Sequence, residues 1–108
     1  MANTFKLKTK ANVGITTQNV YVVPSATTTV VIGITLANTS GSGCIVGVGI
    51  TRPSTEDVKL LKNAPIPQGS SLEFMAGNKV VLETADTLTV NSDTNNSIDA
   101  SLTIMEIT

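Results

Sequence analysis

The sequence predicts an all-β chain: an antiparallel β-sandwich with jelly-roll or Greek-key connections, made of about eight short strands. Three observations carry this. Val, Ile and Thr are abundant, and β-branched side chains favour a pleated sheet over a helix. Short runs alternate apolar and polar residues with period two. Clusters of Gly, Pro, Ser and Asn divide those runs at even spacing, the layout of a sandwich or small barrel. At 108 residues a single domain, 1–108, can bury a core without staples.

Phe5-Lys6-Leu7-Lys8-Thr9-Lys10 alternates strictly, with lysines on one face and Phe5 and Leu7 on the other. This segment, residues 1–10, is expected to be a docking strand or arm. Val20–Val23 is a short strand stopped by Pro24. Thr28–Ala37 is a long one, with Val30, Ile32, Ile34 and Leu36 expected on one face. Asn38-Thr39-Ser40-Gly41-Ser42-Gly43 is a strong turn signal between two long β runs and predicts a hairpin onto Cys44–Thr51. In that partner Gly47 and Gly49 share a face with Ile45, leaving a shallow strip where another backbone can approach. Arg52–Thr55 turns the chain into Val58–Leu61. A helix over Thr55–Lys62 is fenced by Pro53 and Pro65 to about two turns, too short to stand alone. Asn63–Gly69 reads as a proline-stiffened connection. Leu72–Met75, Val80–Leu82 and Leu88–Val90 are short strands, broken at Gly77-Asn78 and near Ala85-Asp86. Asn91–Asn96 is a polar loop. Ile98–Ile107 closes the chain with Ile98, Ala100, Leu102 and Ile104 in register.

The chemistry of catalysis is sparse. The chain has no histidine, which removes the usual general base, the Ser-His-Asp triad and most zinc sites. One cysteine, Cys44, permits no intrachain disulfide; its small apolar neighbours suggest a buried side chain, with an intersubunit bridge as the alternative. No phosphate-cradling loop precedes a helix. Asp93, Asn95 and Asp99 form an oxygen-rich segment, but without the glycine and closing glutamate of a calcium loop it reads as an Asx-rich turn. No enzyme activity, cofactor or metal is expected. Three aromatic residues, Phe5, Tyr21 and Phe74, and a net charge of −1 disfavour base stacking and phosphate binding, so no nucleic-acid partner is expected. No stretch approaches the roughly 18 apolar residues of a helical membrane span, and the start of the chain lacks a signal-peptide pattern, so no membrane partner is expected either.

Charge is unevenly spread. Up to residue 55 the charged residues are Lys6, Lys8, Lys10 and Arg52, while all eight acids lie beyond it. Either a sandwich mixes the two halves in space and the lysines guard a sheet edge, or the lysine strand docks on an acidic neighbour.

Thr4-Phe5-Lys6, Asn12-Val13-Gly14, Tyr21-Val22-Val23-Pro24, Gly33–Thr39, Lys62–Ser70, Gly77–Glu83 with Asp86, and Glu106-Ile107-Thr108 together resemble a family of small virion proteins of tailed bacteriophages, frequent in phages of marine cyanobacteria. The resemblance covers nearly the whole chain and rests on turns and strand edges. It implies a non-enzymatic structural protein located in the virion, foremost a capsid decoration or cement subunit. The alternatives are a tail, neck or fibre-base component, or a receptor- or glycan-binding module. The expected partners are further copies, as a trimer or larger homo-oligomer, and virion proteins such as the major capsid protein. The candidate interface residues are Phe5, Lys6, Leu7, Lys8, Lys10, Gly47 and Gly49.

Overall fold

The computed structural model describes residues 2–53, 56–73 and 79–108. Among these residues there are nine strands and no helix: β1 (Asn3–Val13), β2 (Gln18–Val22), β3 (Thr28–Asn38), β4 (Cys44–Thr51), β5 (Asp57–Ile66), β6 (Ser71–Glu73), β7 (Val80–Leu82), β8 (Thr87–Ser92) and β9 (Ile98–Ile107). One sheet has the order β1-β9-β3-β6, with β7 also on β3; the other is β2-β8-β4-β5. Every pairing is antiparallel. β6 and β7 lie along the same side of β3, Leu72 opposite Leu36 and Val81 opposite Val30, as one interrupted strand. The ladders β1–β9, β2–β8, β3–β6/β7 and β4–β5 are then the rungs of one long ribbon. Rolling that ribbon brings β9 onto β3 and β8 onto β4. The result is a jelly roll, the sandwich that the alternating runs predict.

The core is aliphatic. Val31, Ile34, Leu36, Ile98, Ala100, Leu102 and Ile104 of the first sheet face Val46, Val48, Ile50, Leu88 and Val90 of the second, all buried. Each large aliphatic side chain so buried stabilises the fold by about 1.5–3 kcal/mol before entropy is counted. Cys44 is buried among them as a free thiol.

The expected hairpin at Asn38–Gly43 does not form. β3 and β4 lie in different sheets, because both edges of β3 are taken by β9 and by β6/β7, and both edges of β4 by β8 and β5. The turn is instead an arch over the end of the sandwich, organised by the buried Asn38 side chain. Its Nδ2 donates to the carbonyls of Ser42 (2.9 Å) and Ile66 (3.0 Å), and its Oδ1 accepts from the N–H and hydroxyl of Ser40. The local hairpin is β4–β5, where the Arg52 N–H donates to the Glu56 carbonyl.

Two further expectations change. A bulge between Val31 and Gly33 inserts a residue and shifts the alternation by one. Val31 and Ile34 therefore both face the core, while Val30 and Ile32 stand on the opposite face, half-buried. Asn63–Ile66 is not a connection but the end of β5, Pro65 opposite Ile45; an edge strand tolerates the missing N–H. The turn at Ser54-Thr55, the strand end at Phe74-Met75 and the break at Gly77-Asn78 lie outside the described residues.

Two turns share one geometry with different residues. In Pro67–Ser70 the Ser70 N–H donates to the Pro67 carbonyl and Gly69 has φ +73°. In Glu83–Asp86 the same bond closes the turn, but its third position is Ala85 at φ 72°. Left-handed backbone costs an L-residue about 1–2 kcal/mol, while glycine adds unfolded-state entropy. Ala85→Gly should therefore stabilise the chain by about 0.5 kcal/mol, read as a higher urea midpoint with an unchanged slope.

Candidate functional site: the β1 edge and the outer face of its sheet

β1 is an edge strand. From Asn3 to Lys10 it pairs residue by residue with β9, so residues 3–10 are woven into the sheet and are not a detached arm. Its two faces are chemically distinct, and the lysines take the inner one. Lys6, Lys8 and Lys10 stand opposite Ile104, Leu102 and Ala100, all buried in the core. Lys6 Nζ lies 2.8 Å from Glu106 Oε1, and Lys8 Nζ is 6.0 Å from the centre of the Tyr21 ring. The lysine face thus turns to this chain's own carboxylate and aromatic ring, the first of the two arrangements that the charge layout left open. The other cationic residue of the first half behaves likewise: Arg52 pairs with Glu83 and, at 3.1 Å, with the buried Asp86. Among the described residues, each ion pair joins the basic half of the sequence to the acidic half within one chain.

Glu106 organises the inner end of β1 and was missed in the sequence, although a signal exists. It continues the inward register of Ile98, Ala100, Leu102 and Ile104, so an acid occupies a core position. Tyr21 reaches across from the other sheet; its hydroxyl donates to Glu106 Oε2 (2.6 Å) and sits 2.7 Å from Thr29 Oγ1. The hydrogen bond from Lys6 first, then that from Tyr21, holds the Glu106 carboxyl below its ordinary pKa against the opposing effect of burial. Burial first, then Glu106, pushes the Tyr21 phenol up to about 12.

Phe5 and Leu7 point the other way, and they are 69% and 66% exposed. Phe5 stands opposite Met105, Met105 opposite Val30, and Val30 opposite Val81. Val81 is itself 60% exposed. These four side chains form a row across β1, β9, β3 and β7 on the outer face of the sheet. Leu7, Ile32 and Ile107 flank the row, whose four members are uncharged; Glu73 and Asp99 lie at the other end of this face, and at the β7 end Val81 borders a pocket that it shares with Arg52 and Glu83. A contiguous exposed apolar face of this kind marks an interaction surface more often than scattered hydrophobes do.

Gly47 and Gly49 sit elsewhere, on the outer face of the second sheet, and their strip is filled from within. A Cβ at Gly47 would meet Asn91 Oδ1 at 2.6 Å and the Leu61 carbonyl at 3.3 Å; one at Gly49 would meet the Val58 carbonyl at 3.0 Å. Two register shifts in β5 bring those carbonyls close, so the glycines admit the chain's own backbone. The oxygen-rich segment is also committed. Asp93 accepts from the Ile45 N–H (2.9 Å), chiefly the reason its carboxyl titrates low, and Asp99 accepts from the N–H of Asn12 (3.0 Å).

No family model and no curated protein matches the chain. Among solved structures it is similar to a protein of Bacillus endospore appendages, a family of disulfide-linked pili, with a TM-score of 0.60 and 13% identity over 99% of this chain and 87% of that one. At that identity the likeness is one of fold.

Proposed function

We propose that the chain is a non-catalytic structural subunit of a tailed-phage particle, a capsid decoration protein that clusters with its own copies and docks on the capsid surface. One observation carries this reading: the uncharged outer row Phe5–Met105–Val30–Val81, half-buried at its middle and left in water by a monomer at Phe5 and Val81. Jelly rolls are a recurrent capsid architecture, and the virion-family resemblance covers nearly the whole chain. The fold likeness to a pilus protein favours a second reading, a component of the tail or a fibre base. That pilus family is disulfide-linked, whereas the single cysteine of this chain is buried, so its assembly would rest on non-covalent surfaces.

Phe5→Glu and Val81→Glu test the outer face. Both positions are exposed, so the variants should fold, yet occupancy on purified particles should fall by about tenfold or more, as expected for a charge placed in an apolar interface. Full occupancy by both variants, or absence of the wild-type chain from particles, would overturn the proposal. Cryo-electron microscopy of the particle would separate capsid from tail.

A further inference from the structure

The four edges of the two sheets, one of them shared by β6 and β7, are unequally protected against pairing. β5 carries two register shifts and Pro65, and β2 is five residues long with a shift of its own. β6 and β7 are three residues each. β1 differs: its ladder from Asn3 to Lys10 has no shift and no proline, and among the described residues its only strand partner is β9.

The register states which backbone groups of β1 are free. The Ala2 N–H donates to the Thr108 carbonyl and the Thr108 N–H donates to that of Ala2. Such mutually bonded pairs recur at every second residue of an antiparallel ladder. Thr4, Lys6, Lys8 and Lys10 are therefore bonded to β9, while Asn3, Phe5, Leu7 and Thr9 aim both N–H and C=O at the open edge. Two of those residues, Phe5 and Leu7, also carry the most exposed large apolar side chains of the sheet. The inner-face lysines guard this edge against strands of like charge, while Phe5 and Leu7 leave an apolar outer face beside its free backbone groups.

The lysines select what can pair. β1 meeting β1 of a second copy about a two-fold axis sets inner-face lysines against inner-face lysines, and like charges across a ladder destabilise it. An added strand with carboxylates on its inner-face side meets Lys8 and Lys10 favourably; neither has a carboxylate partner among the described residues. This chain has no two acids spaced i, i+2 anywhere in its sequence, so a second copy lacks the required alternation.

We propose that the open edge of β1 takes up, by strand addition, an extended segment of a different protein, with carboxylates on alternate residues facing Lys8 and Lys10 and apolar side chains beside Phe5 and Leu7. This deepens the assembly role and rests on it only in requiring a protein partner. Backbone bonds supply affinity in this mode, and alternate side chains supply specificity.

A synthetic peptide alternating Glu and Val is the probe, with a peptide alternating Lys and Val as control. The Glu peptide should bind at least about tenfold more tightly, and it should slow amide exchange at Phe5, Leu7 and Thr9, with Lys6 and Lys8 already protected. Thr9→Pro removes an outward N–H without touching the β9 ladder, so the variant should stay folded and lose about tenfold in peptide affinity. Equal binding of the two peptides, unchanged exchange at Phe5, Leu7 and Thr9, or full affinity in folded Thr9→Pro would each overturn the proposal. Should Thr9→Pro fail to fold, the exchange pattern of the wild-type chain decides. These peptide arms are independent of particle occupancy, so failure of the virion assignment and failure of strand addition are read separately.

Discussion

Replacing Gly49 by valine should destabilise the chain by about 2–3 kcal/mol, the range of a forced overpacking. The first obstacle to the new Cβ is the Val58 carbonyl oxygen at 3.0 Å, part of the β5 backbone, followed by Thr89 Oγ1 at 3.4 Å and Lys59 Cδ at 3.5 Å. A backbone atom cannot rotate away, so β5 itself has to shift along its ladder with β4. Gly47→Ala should cost less, because the nearest obstacle is the movable end of the Asn91 side chain. Adding Asn91→Ala should recover part of that loss. Gly33→Thr is the control: nothing lies within 4 Å of its Cβ position, and a β-former in a strand should stabilise by up to about 1 kcal/mol. Urea denaturation of the four variants checks the order. Equal costs at Gly49 and Gly33 would show that close backbone approach is not what glycine provides in β4.

The second expected result concerns the Lys6–Glu106 pair, where the less buried partner should be the costlier to remove. The Lys6 side chain is 43% exposed and that of Glu106 is 8% exposed. Lys6→Met strands a buried carboxylate, for about 1–2 kcal/mol after allowing for solvent at the lysine end. In Glu106→Gln the freed ammonium reaches water and the amide oxygen still accepts from Tyr21, so the cost should be about 0.5–1 kcal/mol. The pH dependence follows from the depressed Glu106 carboxyl. Its folded form prefers to be charged, so the stabilisation is fully present above the ordinary glutamate pKa and is lost as pH falls through the lowered folded value. Without Lys6, the foremost cause of the depression, the folded value rises toward the unfolded one, so that loss should shrink and the acid side of the profile should flatten. Tyr21 acts at the other limit: its stabilisation is present below pH 10 and is lost as pH rises toward 12. Denaturation midpoints from pH 3 to 7 distinguish the variants, and coincident acid profiles for wild type and Lys6→Met would refute the account.

The strand content of this chain is written in its sequence because β-branched composition and period-two alternation are local properties. Ile98, Ala100, Leu102 and Ile104 show it: their spacing alone puts them on one face, and all four are buried. The separation of Phe5 and Leu7 from the three lysines is legible for the same reason. Which of those two faces looks inward is not. Alternation is symmetric between the sides of a sheet, and only the pairing of β1 with β9, with Asn3 opposite Ile107, set Lys6 beside Glu106 and left Phe5 in water. The arch at Asn38–Gly43 was hidden likewise. A turn signal states that the chain reverses, whereas the partners of β3 and β4 are chosen by β9, β6, β7, β8 and β5, all distant in sequence. The bulge at Val31–Gly33 exchanged the faces of Val30 and Ile32; Gly33 is its sequence signal, since an isolated glycine within a strand run suggests a bulge, but period-two alternation alone passes over it. The sequence by itself determined strands, turns and an aliphatic core. The tertiary structure alone decided which faces and which edge remain for a partner, because those depend on ladders that close between opposite ends of the chain.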